Sequence, residues 1–137
     1  MHVFLSEYSP AYVNVEQRRE RLRSQLAAKG GGPLGVEAVK EVIVGVTDLA
    51  VHGLWQKLLD PTPMSGSNAW QVGDGPAIHL VQAGENTTQG LVISVASLQN
   101  ARAFLQERDL LGTDSQQEVT IDPSQIEGLN IRLVEKR

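Results

Sequence analysis

The 137-residue chain contains no cysteine. Disulfides, thiolate nucleophiles and cysteine zinc sites are thereby excluded, and such a composition suits a reducing cytoplasm. Long apolar runs are missing too: none reaches the roughly 18 residues that a membrane-spanning helix needs. The opening "MHVFLSEYSP" has no basic segment followed by a long apolar one, so no signal peptide is expected. Basic charge is in deficit, with 12 Lys and Arg against 16 Asp and Glu and a net charge of −4. No broad cationic surface is therefore expected for nucleic acid, whose phosphates demand clustered Lys and Arg. The glycine-rich stretches "QVGDGP" and "KGGGPLG" lack the strand–GxGxxG–helix or GK[ST] context of nucleotide loops. There is no G-x-S-x-G elbow, HExxH pair or EF-hand loop either, and no cofactor is implied. With 41% hydrophobic and 20% charged residues, the composition is that of one cytoplasmic globular domain able to bury a core.

Local patterns predict an alternation of strands and helices. "HVFLSEY" (2–8) reads as a short strand ended by Pro10. A helix follows in 14–33, with Asn14 as cap, Gln17 at the capping-box spacing and Gly30-Gly31-Gly32-Pro33 as the stop. Its apolar stripe is narrow, Leu22, Leu26 and Ala27, and arginines crowd the rest, as on a solvated face. "VKEVIVGV" (39–46) is a β-branched strand. The helix expected over 48–60 has Asp48 as N-cap and Leu49, Leu54, Trp55, Leu58 and Leu59 near helical spacing. Residues 62–68 read as loop, and "AWQVG" and "PAIHLVQA" as strands joined by Asp74-Gly75, a hairpin signal.

The same order then recurs. "GLVISV" (90–95) is a strand, residues 97–110 a helix capped by Ser97, and 117–122 and 129–136 are strands. Val46, Asp48, Leu49 and Trp55 correspond to Val95, Ser97, Leu98 and Phe104 at one constant offset, and "AIHLV" (77–81) matches "NIRLV" (130–134) at a slightly longer one. Strand, cap, helix and closing strand agree in both copies, which indicates an internal duplication.

The stretches "VIVGVTDL", "WQVGDGPAIHLV", "GLVISVASLQNARAFL" and "GLNIRLVE" resemble the vicinal oxygen chelate superfamily of glyoxalase I, extradiol dioxygenases and bleomycin-resistance proteins. The resemblance covers about residues 38 to 136. It implies an α+β fold of two tandem βαβ(β)β modules, about 38–84 and 88–137, forming a curled, mostly antiparallel sheet with a cleft. Because residues 61–68 and 111–116 are brief and polar, each module reads as one strand short. The segment 1–33 would be a strand–helix arm, similar to the tail of a preceding domain, and 34–137 the glyoxalase-like domain. Superfamily domains commonly associate, so a homodimer is expected.

The resemblance also implies four metal-ligand positions, which fall here on Glu41, His79, Gly90 and Arg132. Glycine offers no side chain and Arg is a fixed cation, so no metal is expected at them. Three readings of these residues stay open. Glu41 and Arg132 can pair inside the cleft, with Gly90 making room. Arg132 can instead bind an anionic ligand, with His79 beside it and Trp70 as a flat wall, although Trp70 can equally pack under a helix. This makes the chain a small-molecule-binding domain without the usual metal site. The alternative is a metal-dependent lyase, isomerase or dioxygenase whose site another subunit completes.

Overall fold

The computed structural model describes residues 15–136; the expected strand at 2–8 and the Asn14 cap lie outside them. After helix α1 (Val15–Ala28) come two units of identical order. The first is β1 (Val36–Val46), α2 (His52–Leu59), β2 (Met64–Gly66), β3 (Ala69–Gln71) and β4 (Ala77–Gln82). The second is β5 (Thr87–Val95), α3 (Leu98–Glu107), β6 (Leu111–Asp114), β7 (Glu118–Ile121) and β8 (Asn130–Glu135). All eight strands form one open sheet in the order β2-β3-β4-β1-β5-β8-β7-β6. Each unit is closed by a parallel pairing of its first and last strands, β1 with β4 and β5 with β8, and the other pairings are antiparallel.

The duplicated caps act as their chemistry predicts. The Asp48 side chain accepts from the Ala50 N–H and opens a short 3-10 turn, Leu49–Val51, that leads into α2. Ser97 accepts from the Asn100 N–H at the start of α3. The strand count is corrected, since β2 and β6 make both modules complete. They carry almost no apolar signal because each is a short edge strand; all three residues of β2 are exposed. β6 is held from outside itself. The Thr113 N–H donates to Thr120 Oγ1 at 2.7 Å, and Arg102 Nε of α3 donates to Asp114 Oδ1 at 2.7 Å.

The helices pack on one face of the sheet over two separate apolar clusters. Under α3 lie Val95, Leu98, Ala101, Leu105, Val119 and Leu133. Under α2 lie Val44, Val46, Trp70 and Leu80, with Leu49, Val51, Trp55 and Leu59 partly buried against them. Leu54 and Leu58, which the spacing placed on the same apolar stripe, point outward and are 66% and 37% exposed. α2 is only two turns long, too short for its stripe to wrap onto the sheet.

α1 is attached at its C-terminal end and along its length. Gly30, Gly31, Gly32 and Gly35 all have left-handed φ, and together they fold the chain back from the helix into β1. Farther up, Arg19 and Arg23 fork onto Asp74 of the β3–β4 turn at 2.6 and 2.5 Å. The hydrogen-bonded Arg23 guanidinium, with Arg19 beside it, holds the Asp74 carboxyl below its ordinary value. All three side chains are more than half exposed, so the contact orients α1 more than it stabilises the domain.

Candidate functional site

Alternation along the strands sends one set of side chains to the helices and the other to the opposite, cleft face. Val42, Val44, Ile78 and Leu80 join the helix-side cluster, so Glu41, Ile43 and His79 occupy the cleft face. In β5 and β8 the helix side takes Ile93, Val95, Ile131 and Leu133, which leaves Gly90, Val92 and Arg132 on the cleft face. The register aligns Glu41 with Val92 and Val92 with Arg132, then Arg132 with Thr120 of β7. Glu41, Val92, Arg132 and Thr120 thus form one row across four strands. Ile43 aligns with His79 on one side and with Gly90 on the other in the next row.

Four of the five residues singled out in the sequence therefore share a face. The fifth does not. Trp70 pairs with Ile78, lies on the helix side and is fully buried, its Nε1–H donating to Gln56 Oε1 of α2 at 2.9 Å. It packs under a helix and supplies no wall to the cleft.

The direct Glu41–Arg132 pair is not formed, and the strand order explains why. Two strand spacings separate them, about 10 Å between Cα atoms. Each finds a diagonal partner on its neighbouring strand instead, where side chains come within reach. Glu41 Oε1 lies 2.8 Å from His79 Nδ1. Arg132 Nη1 lies 3.6 Å from Glu118 Oε2, an ion pair too long to be a hydrogen bond. The remaining Arg132 nitrogen of interest, Nε, is shut off from solvent and has no hydrogen-bond partner among the described residues. Glu118 was missed in the sequence, although the alternation of "EVTI" sets Glu118 and Thr120 opposite Val119 and Ile121, which join the helix-side cluster.

Gly90 is closed as well as bare. A Cβ built there meets the Asn130 carbonyl oxygen at far less than contact distance, and the Asn130 Cβ at 3.1 Å. No ligating side chain fits without moving the backbone of β8. Glu41 and His79 already satisfy one another, and the fourth position presents a cation. Among the described residues no group of three His, Asp or Glu stands close enough to share an ion. The four positions do not fit a divalent metal.

The open eight-stranded sheet of paired modules can now be compared with known structures. Methylmalonyl-CoA epimerase from Mycobacterium tuberculosis superposes with a TM-score of 0.55 at 18% identity, over 74% of this chain and 89% of its own. A hypothetical protein from Bacillus halodurans gives 0.55 at 14% identity, over 72% of this chain and 94% of its own. The fold is that of the vicinal oxygen chelate superfamily. A Streptomyces coelicolor methylmalonyl-CoA epimerase, solved with 2-nitronate-propionyl-CoA, gives 0.53 at 10% identity, over 74% of this chain and 98% of its own. No protein-family model matches the sequence, and no curated protein sequence matches it. The chain has paired βαβββ modules, and of the four cleft positions that the sequence resemblance implies, Gly90 and Arg132 offer no ligand atom. Among the described residues no helix is long and apolar enough to cross a membrane.

Proposed function

We propose that the chain is a small-molecule-binding domain that holds an anionic ligand at Arg132 and does without a metal. The observation that carries this reading is the Arg132 guanidinium, placed on the cleft face with its Nε–H buried and unpartnered among the described residues. A buried N–H without an acceptor costs about 1–3 kcal/mol, so the group stands ready for a partner that the domain itself does not supply. A guanidinium takes up a carboxylate or phosphate with two parallel N–H···O bonds. The structural neighbours lend support, since those solved with methylmalonyl-CoA or 2-nitronate-propionyl-CoA hold acyl thioesters with an anionic group nearby.

Calorimetric titration with small carboxylates and phosphate tests this reading. Binding is expected in the wild type and lost at least tenfold in Arg132→Met, a change worth about 1.4 kcal/mol or more of a charge-assisted contact. Equal heats for the two proteins would remove Arg132 from the site.

The Glu41–His79 contact favours a second reading: a metal-dependent lyase, isomerase or dioxygenase in which these two are a partial ligand set completed by another subunit. Elemental analysis separates the two, because about one metal ion per chain, lost in Glu41→Ala, would favour the enzyme.

The same proposal includes a homodimer. Leu54 and Leu58 form an exposed apolar pair one turn apart on α2, and among the described residues the sheet keeps two unpaired edges, β2 and β6. The segment 1–33, read as the tail of a preceding domain, would add to such an assembly. Light scattering of the full chain and of a chain beginning at Leu34 is expected to give a dimer for the first and a change of mass or stability for the second. A monomer in both cases would exclude it.

A further inference from the structure

We infer that Glu118 is an internal stand-in for the acid group of the ligand, and that the ligand is a small monocarboxylate. This rests on the anion-binding reading of Arg132 and adds to it a competitor and a ligand class.

The first observation is the looseness of the Arg132–Glu118 pair. At 3.6 Å it makes no hydrogen bond, and the two side chains are 33% and 37% exposed, so the pair contributes little and is readily displaced. A free carboxylate, unconstrained by a strand, can approach the guanidinium in the short forked geometry that Glu118 does not reach. Glu118 has somewhere to go. It lines a groove together with Lys40, Glu135 and Lys136, so the displaced carboxylate has Lys40 among its neighbours there.

The second observation is charge balance. The cleft floor and the adjoining groove bring Arg132, Lys40 and Lys136 together with Glu41, Glu118, Glu135 and Glu37, the last paired with Lys136, so carboxylates already outnumber cations. A monoanion at Arg132 adds one negative charge to this set. A phosphate dianion brings a second negative charge with no further cation to receive it, next to the Glu41 carboxylate.

The third is the floor between the charged ends. Val92 lies directly between Glu41 and Arg132, and Ile43 lies beside His79. From β8 to β4 there are three strand spacings, about 14 Å between Cα atoms along the sheet. The apolar strip of Val92 and Ile43 between Arg132 and His79 suits a short aliphatic middle. His79 Nδ1 is taken by Glu41, and its other ring nitrogen makes no hydrogen bond among the described residues. That nitrogen faces a polar group at the far end of the ligand, such as a carbonyl or hydroxyl oxygen.

The test follows the Arg132 Nε–H resonance by NMR, assigned by its disappearance in Arg132→Lys. Acetate, 2-oxobutyrate and inorganic phosphate are titrated into the wild type, Glu118→Gln and Glu118→Ser. Expected are a shift with 2-oxobutyrate larger than with acetate, a roughly tenfold gain in affinity in both Glu118 variants as the competitor is removed, and little response to phosphate. Two variants are used so that a folding defect in one does not decide the outcome. Carboxylate affinities unchanged within about twofold in both variants would overturn the stand-in role while leaving the anion reading in place. Phosphate binding tighter than either carboxylate would overturn the ligand class. No response of Arg132 to any anion, even with Glu118 removed, would sink the anion reading itself.

Discussion

Replacing Gly90 with glutamine is expected to destabilise the protein by about 3 kcal/mol and to leave it unable to hold a metal ion. From the sequence alone, the change looks like a repair, since it puts a ligating side chain where the superfamily resemblance places one. The geometry says otherwise. The new Cβ would drive into the Asn130 carbonyl, a backbone atom of the parallel partner strand that cannot turn aside as a side-chain tip can. Relief requires β5 and β8 to separate at the row next to Arg132, which breaks ladder hydrogen bonds as well as packing. Even a chain that absorbed this strain would offer an ion Glu41, His79 and the new amide beside a guanidinium, and the cation repels what the others attract. Urea denaturation measures the first effect and elemental analysis after zinc loading the second. A Gly90→Gln protein of wild-type stability with stoichiometric zinc would show that the position admits a ligating side chain.

The second large effect belongs to Trp70. Trp70→Ala is expected to cost about 3–5 kcal/mol, as removal of a fully buried indole leaves a cavity that short strands cannot collapse into. It also strands Gln56 Oε1, whose partner is the indole N–H. Trp70→Phe keeps most of the volume and loses the hydrogen bond, and a smaller cost of about 1–3 kcal/mol follows. Because Trp70 faces the helices, carboxylate affinity at the cleft should be unchanged in Trp70→Phe. Thermal unfolding checks the first expectation and calorimetry the second; a Phe variant of full stability but lost affinity would return Trp70 to the ligand site.

Trp70 also shows which parts of the molecule were legible in the sequence. Caps such as Asp48 and Ser97 are local chemistry: Ser97 marks the start of α3, and Asp48 the 3-10 turn that precedes α2. Alternation in "AIHLV" and "NIRLV" is legible too: it sets His79 and Arg132 opposite their apolar neighbours, because period two is a property of the strand alone. The strands β2 and β6 left no such trace. Their pairing depends on β3 and β7, and edge strands of three and four residues need no apolar side chains of their own. The partner of Glu41 was equally out of reach. Whether it meets His79 or Arg132 turns on strand order, which sets one spacing to β4 and two to β8. Glu118 lies between these cases, since the alternation that placed Arg132 was available for it too. That Gly90 has no side chain is plain in the sequence, but its closeness to Asn130 is a tertiary fact.

The seam between β1 and β5 has a kinetic consequence. Strands β1 and β5 pair residues as far apart in sequence as Val36 and Val95, whereas the caps, the short 3-10 turn and the β2–β3–β4 meander are all built from near neighbours. Loop closure must be completed before such distant pairing gives anything in return, so the seam forms late and sets the folding rate. The two apolar clusters do not merge across it, which gives each module a core of its own. Hydrogen exchange should accordingly proceed through an opening along the β1–β5 ladder, with the two halves retaining protection in the interval.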